Sequence, residues 1–336
     1  MTVRDPAMTD VARLAGVSHQ TVSRVLNGHP NVREKTRLRV QAAIAELGYR
    51  PNRAARALVT GRSQVIGVVA QNTTLYGPAS LLAALEQAAA EAGFAVSVGS
   101  VRNLDHQSIS AAVERHLGHR VAGIVVIAPV ESAGEALERL PKDVPLVTID
   151  GDPQRPVPLV TVDQVAGARA ATQHLLEAGH RTVWHVSGPP GWFDSAGRIE
   201  GWREALQAAG AEVPPLLPAD WSAAAGYRCG QMLARMPEVT AVFAANDHLA
   251  LGVLRAVHEH GRRVPDDISV VGFDDVPEAS FFIPPLTTIQ PDFAAVARAS
   301  LEMLLTQIET DTVGALRQTI APTLVARQSV AGPARR

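Results

Sequence analysis

The sequence predicts an all-α helix-turn-helix head joined to a larger α/β core of doubly wound parallel sheets. Three observations carry that prediction. Basic charge is concentrated at one end: residues through Gly61 hold ten Lys and Arg against four Asp and Glu, the remainder 21 against 29, a split hidden by the net charge of −2. Two short runs of helical periodicity flank Gly16-Val17-Ser18. Beyond Ser63, short apolar runs alternate with amphipathic stretches, the βα order of parallel sheets covered by helices on both faces.

In the head, Val11, Leu14, Ala15 and Val17 recur at helical spacing until Gly16 breaks the pattern. Glycine tolerates the positive φ of a tight turn, and Ser18 is placed to cap the helix that follows. That second helix, about 18–26, directs Val22 and Val25 inward beside Leu14 and leaves His19, Gln20, Ser23 and Arg24 outward. Helix, glycine turn, helix is the arrangement that lays its second helix in the DNA major groove. Gln20 carries the paired donor and acceptor that match an adenine edge, and His19 or Arg24 suits guanine or phosphate. A third helix, 34–47, closes the core with Leu38, Val40, Ile44 and Leu47, while Arg33, Lys35, Arg37 and Arg39 offer phosphate contacts. Residues 51–58 follow, proline-started and Ala-rich, a segment too short to be a stable helix unsupported.

In the core, strands are predicted at 65–70, 95–100, 123–128, 146–150, 182–186, 239–244 and 269–273. Helices are predicted at 80–92, 107–117, 165–178, 198–209, 223–236, 249–260 and 293–308. Such sheets bind ligands at the carboxyl ends of their strands. There the chain places Asp150, Asn246-Asp247 and Asp274-Asp275, with Arg198 and Trp221 at predicted helix starts. Carboxylates, amides and guanidinium groups pair with adjacent hydroxyls, and an indole face covers apolar C–H surface, so the set suits a sugar. On spacing alone the same Asp and Asn positions read first as helix N-caps, with Asp247 and Asp275 remaining caps beside the ligand-facing residues.

Composition narrows the alternatives. At 336 residues the chain suits two or three domains. No apolar run approaches the roughly 18 residues of a membrane span, and MTVRDPAMTD lacks the apolar stretch of a secretory signal. A single cysteine, Cys229, rules out a disulfide framework and a Cys-rich zinc site, which together imply a cytoplasmic protein without metal or cofactor. An α/β enzyme is the main rival, but G-x-G-x-x-G, G-x-x-x-x-G-K-[ST] and G-x-S-x-G are all missing, and His258-Glu259-His260 reads as a solvated helix end.

VARLAGVSHQTVSRVLNG, then KTRLRVQAAIAELGYRPNRAARAL, resemble the lactose/galactose repressor family of bacterial transcription regulators, and the likeness runs to about Val325. ADWSAAAGY, FAANDHLALG, DISVVGFDD and FFIPPLTTIQPDF are most similar to its lactose-responsive members. The resemblance implies a DNA-binding domain at 1–50, a hinge helix at 51–61, and a core at 62–330 like a periplasmic sugar-binding protein. Its first subdomain would hold 62–162 and 292–321, its second 163–290 and 322–330. It implies a homodimeric repressor released from double-stranded operator DNA by a small sugar, a galactoside first. A corepressor response or activation would use the same parts. It extends the DNA-contacting set to Ser18, Thr21, Asn27, Asn52, Ala55 and a minor-groove wedge at Leu58. It assigns Asp150, Arg198, Asn246 and Asp274 to sugar hydroxyls, Trp221 to the ring face, and Leu75 and Pro78 to an apolar rim, with Gln290 and Phe293 completing the pocket. Three departures stand out. His19 replaces an expected tyrosine, Pro291 sits where a glutamine is expected, one place after Gln290, and QSVAGPARR lacks a tetramer-forming leucine heptad.

Overall fold

The computed structural model describes residues 6–26, 29–49, 63–71, 74–138, 144–310 and 316–333. These form two compact units that meet in sequence at Gln64–Val65. The segment at 51–61, together with Asn27, Asn52, Ala55 and Leu58, lies outside the described residues.

The first unit is three helices, α1 (Met8–Leu14), α2 (His19–Leu26) and α3 (Glu34–Leu47). Gly16 takes φ +59°, and the Ser18 hydroxyl accepts the Thr21 N–H at 3.1 Å, so turn and cap form as the residue types dictate. The core gathers Val11, Ala12, Ala15, Val22, Val25, Val40, Ala43 and Tyr49. Two expected core residues are corrected: Leu14 is 45% and Leu38 58% exposed. The inward stripe of α3 is Val40, Ala43, Ile44 and Leu47, spaced i, i+3, i+4, i+7. Leu38, two residues before Val40, falls on the opposite side of a 3.6-residue turn.

The second unit holds two six-stranded sheets. In the first, β1 (Val65–Gln71), β2 (Ala95–Val101), β3 (Gly123–Ile127), β4 (Leu146–Ile149), β5 (Leu159–Val162) and β11 (Arg317–Ile320) run parallel in the order β11-β5-β4-β3-β1-β2. Helices α4 (Tyr76–Glu91), α5 (His106–Gly118), α6 (Gly134–Glu138) and α11 (Phe293–Thr310) belong to this half. The second sheet contains β6 (Trp184–Ser187), β7 (Leu217–Pro218), β8 (Ala241–Ala244), β9 (Ser269–Phe273), β10 (Thr287–Gln290) and β12 (Thr323–Val325), ordered β12-β10-β9-β8-β6-β7. Only β12 is antiparallel to its neighbour. It is flanked by α7 (Gln164–Glu177), α8 (Phe193–Ala208), α9 (Ala223–Ala234) and α10 (Asp247–Glu259). The chain passes between halves three times, after β5, β10 and β11. Among the described residues no helix is long and apolar enough to cross a membrane.

Strands β5, β7, β10, β11 and β12 escape the sequence pattern. The edge strand β11 (RQTI) has no buried residue, β7 is two residues long, and TTIQ of β10 is polar yet buried through residue 289. Two helices, α4 and α8, begin about one turn or more earlier than predicted. Pro78 falls in the first turn of α4, where a missing N–H costs nothing, and Gly191 at φ +77° turns the chain into α8 before Phe193. Arg198 therefore lies inside α8 and does not open it. Trp221 likewise precedes α9, whose N-cap is Ser222.

Candidate functional site

The carboxyl ends of the two sheets face a cleft that holds about 570 Å³ of empty space, its open mouth included. Leu75, Pro78, Asp150, Arg198, Trp221, Asn246, Asp274 and Phe293 all line it. Asp150 follows β4 in the first half; Asn246 and Asp274 follow β8 and β9 in the second.

Arg198 organises the cleft. It is 4% exposed, and its Nε donates to Gln164 Oε1 at 2.9 Å, its Nη1 to the Ala245 carbonyl, and its Nη2 to Asp274 Oδ1 at 3.5 Å. The guanidinium carbon stands 3.7 Å from the Phe273 ring centre and 5.4 Å from that of Trp221, geometry that suits cation–π attraction. Asp150 Oδ1 accepts from Thr161 Oγ1 at 3.0 Å and from the Val162 N–H at 3.2 Å. Asn246 both caps α10, accepting the Leu249 N–H at 2.8 Å, and donates its amide to the Trp221 carbonyl at 3.2 Å. The capping and pocket roles of that residue therefore coexist.

Backbone strain gathers here. Among the described residues the non-glycine positions at positive φ are Arg120, Asp150, Trp221, Asp274 and Asp275, three of which line the cleft. A Cβ on Gly188 would stand 2.2 Å from the Trp221 ring, so only glycine lets the indole lie in this position.

Asp247 and Asp275 are not caps, and that expectation is corrected. Asp247, fully buried, accepts from the Val276 N–H at 2.8 Å and the Thr288 hydroxyl at 2.6 Å, tying α10 to β10. Asp275 pairs with Arg327 at 2.7 Å and accepts from Gln290 Nε2 at 2.7 Å. Gln290 is corrected as well: its exposed side chain lies outside the cleft, and Pro291 lines it instead. Burial alternates along this extended stretch, Ile289 in, Gln290 out, Pro291 in, as period-2 geometry requires.

The sequence reading missed Trp192, Asp194, Gln164 and Tyr76, which also line the cleft. Placing the start of α8 at Arg198 left Trp192 and Asp194 in an undistinguished loop. Burial raises the pKa of Asp194 to about 8, helped by the nearby Asp150 charge, and that of Asp274 to about 6 despite the Arg198 cation. Asp150 also shifts upward through burial.

Burial likewise pushes Asp247 up to about 8. Its folded pKa exceeds the unfolded value near 3.9, so the folded chain holds this proton more tightly. Stability should therefore fall as pH climbs from about 4 through about 8. The expected result is that Asp247→Asn flattens this slope in urea melts taken between pH 5 and 8 and equals or exceeds the parent at pH 8. A slope unchanged by the substitution would refute the assignment.

On the head, His19, Gln20 and Arg24 of α2 are exposed together, with Thr21 and Ser23 half-buried beside them. Arg33, Lys35 and Arg39 are exposed, whereas Arg37 bends back to Glu34 at 3.5 Å and the His29 carbonyl at 3.4 Å. At the other candidate cluster, Glu259 accepts from Tyr227 and Arg255, and His260 Nδ1 lies 2.9 Å from the Ala256 carbonyl, the partners of a helix end.

The family description "Bacterial regulatory proteins, lacI family" matches residues 7–52, and "Periplasmic binding protein-like domain" matches 172–330. The Lactose operon repressor of Escherichia coli (strain K12) is 37% identical, over 96% of this chain and 90% of that protein. The HTH-type transcriptional regulator CelR of Thermobifida fusca is 34% identical over 97% and 98%. A crystal structure of the Lac repressor dimer bound to operator and the anti-inducer ONPF superposes with a TM-score of 0.87, at 35% identity over 98% of this chain and 100% of that one. A CelR–cellobiose complex superposes at 0.70, with 32% identity over 96% and 99%.

Proposed function

This chain belongs to the lacI family of bacterial regulatory proteins, and from that premise we propose a homodimeric, sequence-specific transcriptional repressor of the cytoplasm. A small sugar in the cleft, a galactoside first among candidates, lowers its affinity for operator DNA. The observation that carries the reading is the Arg198 centre: a buried guanidinium among Asp150, Asp274 and Asn246 beside an indole, which offers paired polar groups and one apolar wall.

The same residues supply a route for the signal. Arg198 bonds Gln164, the first residue after the first crossover, and Asp150 bonds Thr161 and Val162 just before it. Asp275, next to Asp274, bonds Gln290 at the second crossover. A ligand that reorders these groups biases one half of the core against the other. In a dimer that bias reaches the segments at 51–58, whose short helices hold only while they support each other. The paired Leu58 side chains then wedge the minor groove only in the unliganded form. Coupling of this kind amounts to about 1–3 kcal/mol and is reciprocal, so operator DNA weakens sugar binding by the same factor.

The test is binding of labelled operator DNA from the chain's own upstream region at fixed salt, titrated with galactosides, cellobiose and ribose. Release by a galactoside supports the reading, release by cellobiose alone moves the effector to a glucoside, and tightening makes the ligand a corepressor. Indifference to every sugar defeats the effector assignment.

For the head, Gln20→Ala is expected to cost about 1–3 kcal/mol at one operator base pair and to relax specificity there. Arg33→Ala should weaken all sequences alike and reduce the salt dependence. A scan of single-base operator variants separates these outcomes; equal loss on every variant for Gln20→Ala would assign it to phosphate.

A further inference from the structure

We infer that Arg327 is a positioning residue for the effector: without reaching the cleft, it holds Asp275 and so fixes the adjoining Asp274. The assignment rests on the sugar-effector reading and adds to it a residue that touches no ligand.

Asp274 and Asp275 stand consecutively at positive φ, 101° and 50°, in the turn that leaves β9. Side chains rarely accept that backbone, and it persists only where the surroundings impose it. Asp274 supplies little of the hold itself. Its N–H donates to the Ile289 carbonyl at 2.8 Å, but its carboxyl meets Arg198 only at 3.5 Å, long for a charge-assisted bond. Asp275 is tied more firmly. Arg327 Nη2 stands 2.7 Å from its Oδ1, the two side chains 19% and 10% exposed. Oδ2 accepts from Gln290 Nε2 at 2.7 Å, yet Gln290 is itself exposed. Arg327 is the sheltered anchor.

Arg327 can anchor because it is held in turn. Its Nη1 donates to the Leu286 carbonyl at 2.8 Å, and its backbone N–H to Thr287 Oγ1 at 2.9 Å. Two residues on, buried Ser329 donates to the Val270 carbonyl at 2.6 Å and accepts the Thr287 N–H at 2.8 Å. The C-terminal segment is thereby fixed on the opening residues of β9 and β10, while its guanidinium reaches the turn beyond the far end of β9. An ion pair on such a segment often does no more than staple it to a sheet. Here the stapled carboxylate is one residue from a cleft carboxylate and shares its strained turn, so the hold is felt in the cleft. Remove the cation, and Asp275 keeps a sheltered charge without its partner while the turn is free to relax. Arg327 does not line the cleft, so whatever it does for a ligand passes through Asp274.

Calorimetry on the full chain with lactose, cellobiose and ribose tests this, alongside thermal unfolding and sugar-free operator binding. Arg327→Met should bind the parent's sugar about 10-fold more weakly and operator DNA within about threefold of the parent. Arg327→Lys keeps the charge without the planar fork and should recover part of the sugar affinity. Asp275→Asn should lose affinity too, and the double variant no more than the larger single loss, because both act through one contact. A lower melting temperature with sugar affinity equal to the parent's would make Arg327 a staple alone and overturn the inference. Additive losses from Arg327→Met and Asp275→Asn would overturn it as well, since the two would then act by separate routes. Should Arg327→Met not fold, parental sugar affinity in both Arg327→Lys and Asp275→Asn decides against it. If no sugar in the panel binds the parent, the effector reading falls and takes this assignment with it.

Discussion

Arg198→Met is expected to leave a repressor that holds operator DNA but no longer responds to sugar. Methionine approximates the length of the aliphatic stem, so the substitution removes the charge, the donors and the guanidinium face over Phe273. Three acceptors then lose their partner: Gln164 Oε1, the Ala245 carbonyl and Asp274. The carboxyls of Asp150, Asp194 and Asp274 also lose the one cation that lines the cleft with them among the described residues. Truncating one member of a buried, hydrogen-bonded charge set costs about 2–5 kcal/mol of binding, which corresponds to an affinity loss of about 30-fold or more. Operator binding without sugar should stay within about threefold of the parent, because the head is untouched. Operator titrations at rising sugar concentration, paired with calorimetry, measure both quantities. Release of the variant at the parent's sugar concentration would remove Arg198 from the effector site.

The largest stability effect is expected from Gly252→Ala. Helices α9 and α10 pack so closely that a Cβ on Gly252 would lie 2.0 Å from the Ala223 carbonyl oxygen and 2.4 Å from the Tyr227 nitrogen. Gly226 makes the reciprocal approach, with its Cβ position 2.1 Å from the Leu249 carbonyl oxygen. Both obstacles are backbone, so no side chain can rotate aside and the helices must separate. Overpacking of this kind costs about 1–3 kcal/mol, and a backbone clash belongs at or above the upper end. Gly118→Ala is the control: it meets nothing within 4 Å and needs no positive φ, so it should stay within about 0.5 kcal/mol of the parent. All four tryptophans, residues 184, 192, 202 and 221, lie in the second half of the core, so their fluorescence in urea reports the affected region. A Gly252→Ala midpoint equal to that of Gly118→Ala would show that the helices part without strain.

Much of the head was legible because its signals are local. Gly16 needs positive φ, Ser18 caps the next turn, and the α2 pattern separates Val22 and Val25 from His19, Gln20 and Arg24 within eight residues. Leu14 and Leu38 defeated the reading because a hydrophobic residue beside the right stripe looks much like one in it. In the core, the βα alternation and the strand-end polar residues were visible, since buried parallel strands are apolar and ligand groups sit where strands end. The edge strands β11 and β12 were not, because their residues gain strand character from a partner remote in sequence.

The sequence by itself determined a basic three-helix reader, an α/β core, and the family to which both belong, because periodicity, turn chemistry and charge act over a few residues. Only the tertiary structure decided which polar residues share one cleft. Asp194 joins Asp150 although 44 positions separate them, and Gln290 leaves the lining in favour of Pro291. Both outcomes depend on where α8 begins and on the alternation of an extended strand, which long-range pairing fixes. The same packing gave Asp247 to the fold and Asp274 to the cleft, because each carboxyl was settled by the donors that folding brought to it.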